Sequence, residues 1–379
     1  MARSAVAAAQ PRIRSLRMSL TMSGYIARHF TARFVSLLLV LLGIILLVST
    51  VELLDQLATK EGVSLWRTVQ LALLKLPHLG QEVMPFTMLF AAMATFWRLT
   101  RSNELVVVRA AGVSVWQFLL PIIAVGLAIG ILTTTVINPV ASVMLRRYEQ
   151  LEAQYTGKPG STTAVSKNGL WLRQADGDGV SVIHARRVSQ ETMILHDVIV
   201  FRYAEEDRFT SRIDAKTAKL QNGHWQLYNA LKTRPGDEGE SVEQMRLPTE
   251  LTADKIYNSF APPETVSFWA LPGFIELLEN AGFTAEPQKL QFHRLLAKPV
   301  LLAAMILLAA TFSLRPHRRG KVAIMIASGV LVGFLLYILS NLVFALGLSS
   351  KLPVVLAAWT PAGVTLMLGI ASLLHLEDG

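Results

Sequence analysis

Side chains able to cut, transfer or ligate are few in this chain and do not gather. It has no G-x-x-x-x-G-K-[ST] phosphate loop, no H-E-x-x-H pair and no G-x-S-x-G nucleophile turn. None of its 379 residues is cysteine, which excludes disulfides and thiolate metal sites. Of the eight histidines, His184 and His196 fall in a stretch of strand periodicity and read as polar sheet positions, not metal ligands. Asp176-Gly177-Asp178-Gly179 lacks the spacing and the distant acid of a calcium loop, so it reads as a tight turn. The expectation is a protein that is no enzyme, with no catalytic, cofactor-binding or metal site of its own. One segment offers a different chemistry. In RSNELVVVRAAG, residues 101–112, one acid and two arginines interrupt strongly apolar sequence. Ser102 is placed to cap a helix and Glu104 falls in its first turn, where the helix dipole favours an acid. Arg109 lies near the other end and Gly112 can stop the helix. Leu105 and Val108, three apart, share one face. Such a helix either docks an apolar face and a single acid into a groove of another protein, or rests its aliphatics on lipid.

The elements around it are those of a membrane protein. Hydrophobic residues make up 52% of the chain and charged ones only 17%, which is too apolar for a soluble protein of this length. The net charge of +9 is concentrated. The first 33 residues hold Arg3, Arg12, Arg14, Arg17, Arg28 and Arg33 and no acid, directly before an uncharged apolar run. This is the positive-inside pattern, and it argues against nucleic acid as the partner. A span needs about 20 apolar residues. Phe34–Val51, Val83–Trp97, Ala110–Leu145, Leu295–Leu314, Val322–Leu348 and Leu352–Leu374 supply six. The second is preceded by LALLKLPHLGQE and interrupted by Pro77 and Pro85, which predicts a broken or tilted helix. Asn138-Pro139 predicts a bend or an end in the third, and Lys298 is expected to snorkel from the outer end of the fourth. Arg98, Arg101 and Arg109, and the turn RPHRRGK at 315–321, belong in the cytoplasm by the same charge rule. Both termini then lie inside and the middle of the chain outside.

That middle switches to a two-residue period. VSVIHARRV (180–188) and DVIVFRY (197–203) alternate or cluster β-branched and aromatic residues as strands do. Asn222-Gly223 between Leu220 and Trp225 signals a two-residue hairpin. Many short strands with frequent turns predict a sandwich, jelly roll or curved sheet. Residues 267–278 read as a short amphipathic helix at the outer membrane surface, ended by Gly282. The expected organisation is a cytoplasmic extension at 1–22, spans one to three at 23–145, a β-domain with its interfacial helix at 146–292, and spans four to six at 293–379.

RSNELVVVRAAG followed directly by a span resembles the cytoplasmic coupling helix of the LptF/LptG family of lipopolysaccharide export permeases. Three spans, a periplasmic β-jellyroll and three more spans resemble it over nearly the whole chain beyond residue 22. LLDQL at 53–57 and NGLWLRQADGDGVSVIHARRV at 168–188 favour one branch of the family, whose expected partner is the other branch, LptF. The resemblance implies a permease half that pairs with LptF above a dimer of the ATPase LptB, with LptC joining through its own membrane helix. Lipopolysaccharide is drawn from the inner membrane of a Gram-negative envelope toward a periplasmic bridge, and ATP and Mg are bound by the partner ATPase, not by this chain. It implies a coupling site of Glu104, Leu105, Val108, Arg109 and Gly112, with Glu104 receiving a basic group of the ATPase. The family also places basic residues at the outer end of the first span and just beyond the third, suited to lipid A phosphates. Here Glu52 departs from that pattern and Lys60 is the basic residue on that side, while Arg146 and Arg147 follow the third span. Other readings are a different ATPase-linked envelope permease, for lipoprotein extraction or mechanotransmission, and a membrane-anchored periplasmic binding module. The first usually carries its outer domain after one span; the second predicts no cytoplasmic partner. Secondary transport fits poorly with spans that show almost no central ionisable residues.

Overall fold

The computed structural model describes residues 20–57, 64–110, 112–156, 163–166, 169–176, 179–189, 194–204, 208–221, 223–236, 239–249, 251–252, 256, 262–313, 322–349 and 351–377. Lys60, Asn222, most of the amino-terminal arginine cluster and the RPHRRGK turn lie outside the described residues. Nine α-helices are described: α1 (Leu20–Leu57), α2 (Leu65–Arg101), α3 (Glu104–Ala110), α4 (Val115–Leu132), α5 (Asn138–Thr156), α6 (Leu271–Asn280), α7 (Glu286–Ser313), α8 (Val322–Leu348) and α9 (Val354–Glu377). Among the described residues, six stretches are long and apolar enough to cross a membrane, with α4 and α5 forming one of them across Val115–Ala153. The all-helical membrane part with an inserted β-domain is therefore present.

Two expectations about proline are refined. α2 is not broken: its 37 residues run through Pro77 and Pro85 as one helix, begun by Ser64, whose hydroxyl accepts from the Arg67 amide. At 1.5 Å per residue it is roughly 55 Å long, well beyond a hydrocarbon core of about 30 Å. Its packing against α1 and α7 outweighs the two missing amide donors. The third span does not end at Pro139 either. One π-helical turn, Thr133–Ile137, precedes it and the helix continues to Thr156, past the expected end at 145.

Prolines also free carbonyls four residues back, and the structure supplies donors from distant parts of the chain for two of them. Pro139 cannot donate to the Thr135 carbonyl; the Trp269 indole N–H donates to it at 3.0 Å. Pro299 cannot donate to the Leu295 carbonyl; the Thr134 hydroxyl does so at 3.0 Å. The interior is built around α7, which packs on α2, α4 and α9. Phe30, Met88, Phe96, Leu119, Ile122 and Ile306 are fully buried there. Gly126 and Gly130 let α4 approach closely: a Cβ at Gly130 would stand 2.5 Å from the Pro299 Cα.

The inserted domain is one seven-stranded antiparallel sheet in sequential order: β1 (Thr163–Ser166), β2 (Gly169–Asp176), β3 (Gly179–Ser189), β4 (Ile194–Tyr203), β5 (Phe209–Gln221), β6 (His224–Thr233) and β7 (Glu240–Pro248). The expected all-β domain is thus present, as a single sheet whose strands pair in chain order. Asp197 and Asn229, with φ of 52° and 51°, interrupt the pleat of β4 and β6. The predicted hairpin pairs Leu220 with Trp225 and Ala218 with Leu227 around Gly223, whose φ is +80°. Asp176 pairs with Gly179 across the second tight turn. One face of the sheet buries Leu172, Ile183, Val200, Ile213, Trp225 and Leu227.

Leu278 of α6 joins that β core, while Leu271 at its start packs with Leu295 of α7. The expected interfacial helix is thus a bridge between sheet and bundle. Gly282 (φ +86°) ends it, and the Phe283 amide donates back to the Leu278 carbonyl.

Candidate functional site

At one end of the bundle, α3 is wedged between α2 and α4. Ser102 closes α2, donating its amide to the Arg98 carbonyl. Its hydroxyl donates to Glu104 Oε1 at 2.8 Å, so it holds the acid instead of capping α3 as expected. Asn103, with φ of 59°, makes the reversal, and its carbonyl accepts the first bond of α3 from Val107. Gly112 (φ +82°) terminates the helix as expected, with the Val113 amide returning to the Val108 carbonyl. Ser114 and Gln117 then form a capping box that starts α4.

Leu105 and Val108 share a face, but that face is turned inward. They are 6% and 4% exposed, in the core cluster that holds Phe96, Leu99 and Phe118. Val106 and Val107 face outward, 59% and 68% exposed. Sequence spacing identified the shared face and missed which face the bundle would claim. Glu104 lies half-buried beside the outward pair. Thr100, just before this segment, donates its hydroxyl to the Phe96 carbonyl at 2.9 Å and lies 3.4 Å from the Ser313 carbonyl, where the ends of α2 and α7 meet.

At the opposite end, three hydrogen bonds lock the returning chain to α5 and the π turn. Asn138 Oδ1 accepts from the Phe268 amide at 2.8 Å, the Trp269 indole reaches Thr135, and Arg146 Nη2 donates to the Thr265 carbonyl at 2.8 Å. Arg146 therefore positions the exit of the β-domain. Arg147 beside it is exposed. Glu52 is exposed and accepts from Gln56 at 3.5 Å.

A third feature was not foreseen. Between α2, α7, α8 and α9 lies a cavity of about 130 Å³. His78 and Glu82 of α2, Arg294 and Lys298 of α7, and Glu264 line it. Lys298 does not snorkel outward but faces this space, so the bundle does contain a cluster of ionisable residues. A signal was present: Gln291, Arg294 and Lys298 recur three and four apart, and His78 and Glu82 four apart, as one helix face requires.

These features define a polytopic membrane protein with a β-sheet domain at one end of its bundle and a small wedged helix at the other. Residues 24–375 match the family described as lipopolysaccharide export system permease LptF/LptG. The chain belongs to that family, and a permease is a transport subunit with no catalytic step of its own. The lipopolysaccharide export system permease protein LptG of Escherichia coli (strain K12) is 26% identical over 299 residues, covering 76% of this chain and 80% of the relative. LptG of Haemophilus influenzae (strain ATCC 51907 / DSM 11121 / KW20 / Rd) is 24% identical over 354 residues, covering 90% and 95%.

Proposed function

We propose that this chain works as an LptG-type half of a lipopolysaccharide exporter in the bacterial inner membrane, with α3 and both termini in the cytoplasm and the sheet in the periplasm. It pairs with LptF, since six spans are too few to enclose so large a lipid. An LptB dimer binds beneath, holding ATP and Mg, and LptC completes the assembly.

The observation that carries the reading is the continuity between the two ends. α3 is anchored by Leu105 and Val108 and leads, through the Ser114 capping box, into the Val115–Ala153 rod. At 39 residues this rod is roughly 58 Å long. Its far part holds the β-domain exit through Asn138, Thr135 and Arg146. A push on α3 by the closing ATPase thus reaches the periplasmic sheet through one helical element, with the π turn as the point where it can bend. Val106 and Val107 form the insert that meets the ATPase, and Glu104 receives a basic group. Leu105, Val108 and Gly112 hold the insert in shape; the Arg109 side chain lies outside the described residues. Arg147 takes a lipid A phosphate, and Lys60 is the corresponding cation near the first span.

The experiment is Glu104→Lys in the assembled complex. Charge reversal is expected to abolish co-purification of the ATPase and lipopolysaccharide release from proteoliposomes. An unchanged complex that still releases lipopolysaccharide would overturn the coupling role.

A further inference from the structure

We propose that the cavity between α2, α7, α8 and α9 is a binding site for a membrane phospholipid whose head group carries both a phosphate and a primary ammonium, internal to this chain and separate from any cavity shared with a second permease half. The inference does not depend on the coupling role of α3.

Three observations converge on it. The first is a polarity gradient repeated on three walls. On α7, Gln291, Arg294 and Lys298 lie toward the β-domain end, and Leu301 and Met305 follow deeper in the bundle. On α2, His78 and Glu82 precede Pro85 and Phe86, and on α8 Asn341 and Ser340 give way inward to Leu336 and Gly333. From Gln291 to Met305 is 14 residues, about 21 Å of helix. That span matches a head group at the membrane surface with the upper part of an acyl chain below it.

The second observation is charge balance. Two cations, Arg294 and Lys298, face two carboxylates, Glu82 and Glu264, across the same space. The contacts among them are loose. His78 Nε2 and Glu82 Oε1 stand 3.7 Å apart, and Arg294 lies over the Phe344 ring, 5.0 Å from its centroid. Ionisable groups inside a bundle are expensive unless something answers them. A phosphate answers the cations and an ammonium answers the carboxylates, whereas a purely anionic head group would leave the carboxylates facing like charge.

The third observation is an unmet acceptor. Gln291 is only 6% exposed, lines the cavity, and its Oε1 has no hydrogen-bond partner among the described residues. A buried acceptor without a donor is destabilising, and an ammonium head supplies the donor.

The test uses the full chain in its purified complex. After delipidation the complex is exposed separately to vesicles of phosphatidylethanolamine, vesicles of phosphatidylglycerol, and inorganic phosphate, and native mass spectrometry reads what stays bound. One phosphatidylethanolamine is expected per copy of this chain, with at least tenfold less phosphatidylglycerol and no phosphate retained. Lys298→Met and Glu82→Gln are each expected to lower that retention at least tenfold; the comparison of lipids on the unmutated protein decides the class even where a variant fails to assemble. Equal retention of phosphatidylglycerol or of phosphate would make this an anion site and overturn the proposal. So would displacement of the bound lipid by lipopolysaccharide, which would place the cavity on the export path, or retention unchanged in both variants, which would place the lipid elsewhere.

Discussion

Replacing Leu105 by alanine separates holding α3 in place from the proposed contact of its outer face with the partner ATPase. α3 has seven residues, and isolated helices below about 12–15 residues are marginal in water. Its structure therefore rests on Leu105 and Val108, the two side chains it buries among the described residues. Truncating a filled leucine site costs about 2–5 kcal/mol. Taking about 3 kcal/mol, with 1.4 kcal/mol per factor of ten, the undocked population of α3 rises roughly a hundredfold. Hydrogen exchange of the 104–112 amides in the purified complex should accelerate by about that factor, and ATPase association should weaken with it. Val107→Asp changes an exposed residue. It should leave exchange unaltered and still abolish ATPase association. The reasoning fails if Leu105→Ala leaves the exchange rates unchanged, or if Val107→Asp speeds them as much as Leu105→Ala does.

Three further outcomes follow from the geometry. Gly130→Ala drives a Cβ against the Pro299 backbone and should lower stability by about 1–3 kcal/mol in thermal unfolding in detergent, whereas Gly363→Ala, whose Cβ meets nothing within 4 Å, should not. Trp269→Phe removes the donor to Thr135 and should loosen the exit segment by about 0.5–1.5 kcal/mol, read as faster exchange at 262–270 with the sheet amides unaffected. Arg147→Glu should slow lipopolysaccharide release from proteoliposomes without altering exchange at 262–270, while Arg146→Gln, which loses the bond to Thr265, should alter that exchange.

Much of this protein was legible in one dimension because the forces responsible are local or one-dimensional. A membrane demands uninterrupted apolar length, so the six spans stand out by composition alone. A two-residue hairpin demands positive φ, so Asn222-Gly223 announced the β5–β6 register, and Gly112 and Gly282 announced helix ends for the same reason. Face assignment was beyond sequence. Leu105-Val106-Val107-Val108 is four aliphatics in a row, and which two are buried depends on where α2 and α4 lie, not on the residues themselves. The prolines are the second such case. Sequence marks the lost amide donor at Pro85, Pro139 and Pro299, but whether a helix breaks depends on who reaches the freed carbonyl. Trp269 and Thr134, 130 and more residues away in the chain from the carbonyls they satisfy, were the answer at two of them. The polar cavity is the third: His78 and Glu82 read in sequence as interruptions before the second span and Lys298 as an anchor at the end of the fourth, yet they line one space. Composition and period determined which elements exist and that they enter a membrane. Only packing in three dimensions decided which aliphatics α3 presents, how the third span grips the β-domain exit, and that scattered His78, Glu82 and Lys298 share one space, because each depends on long-range neighbours that no local pattern encodes.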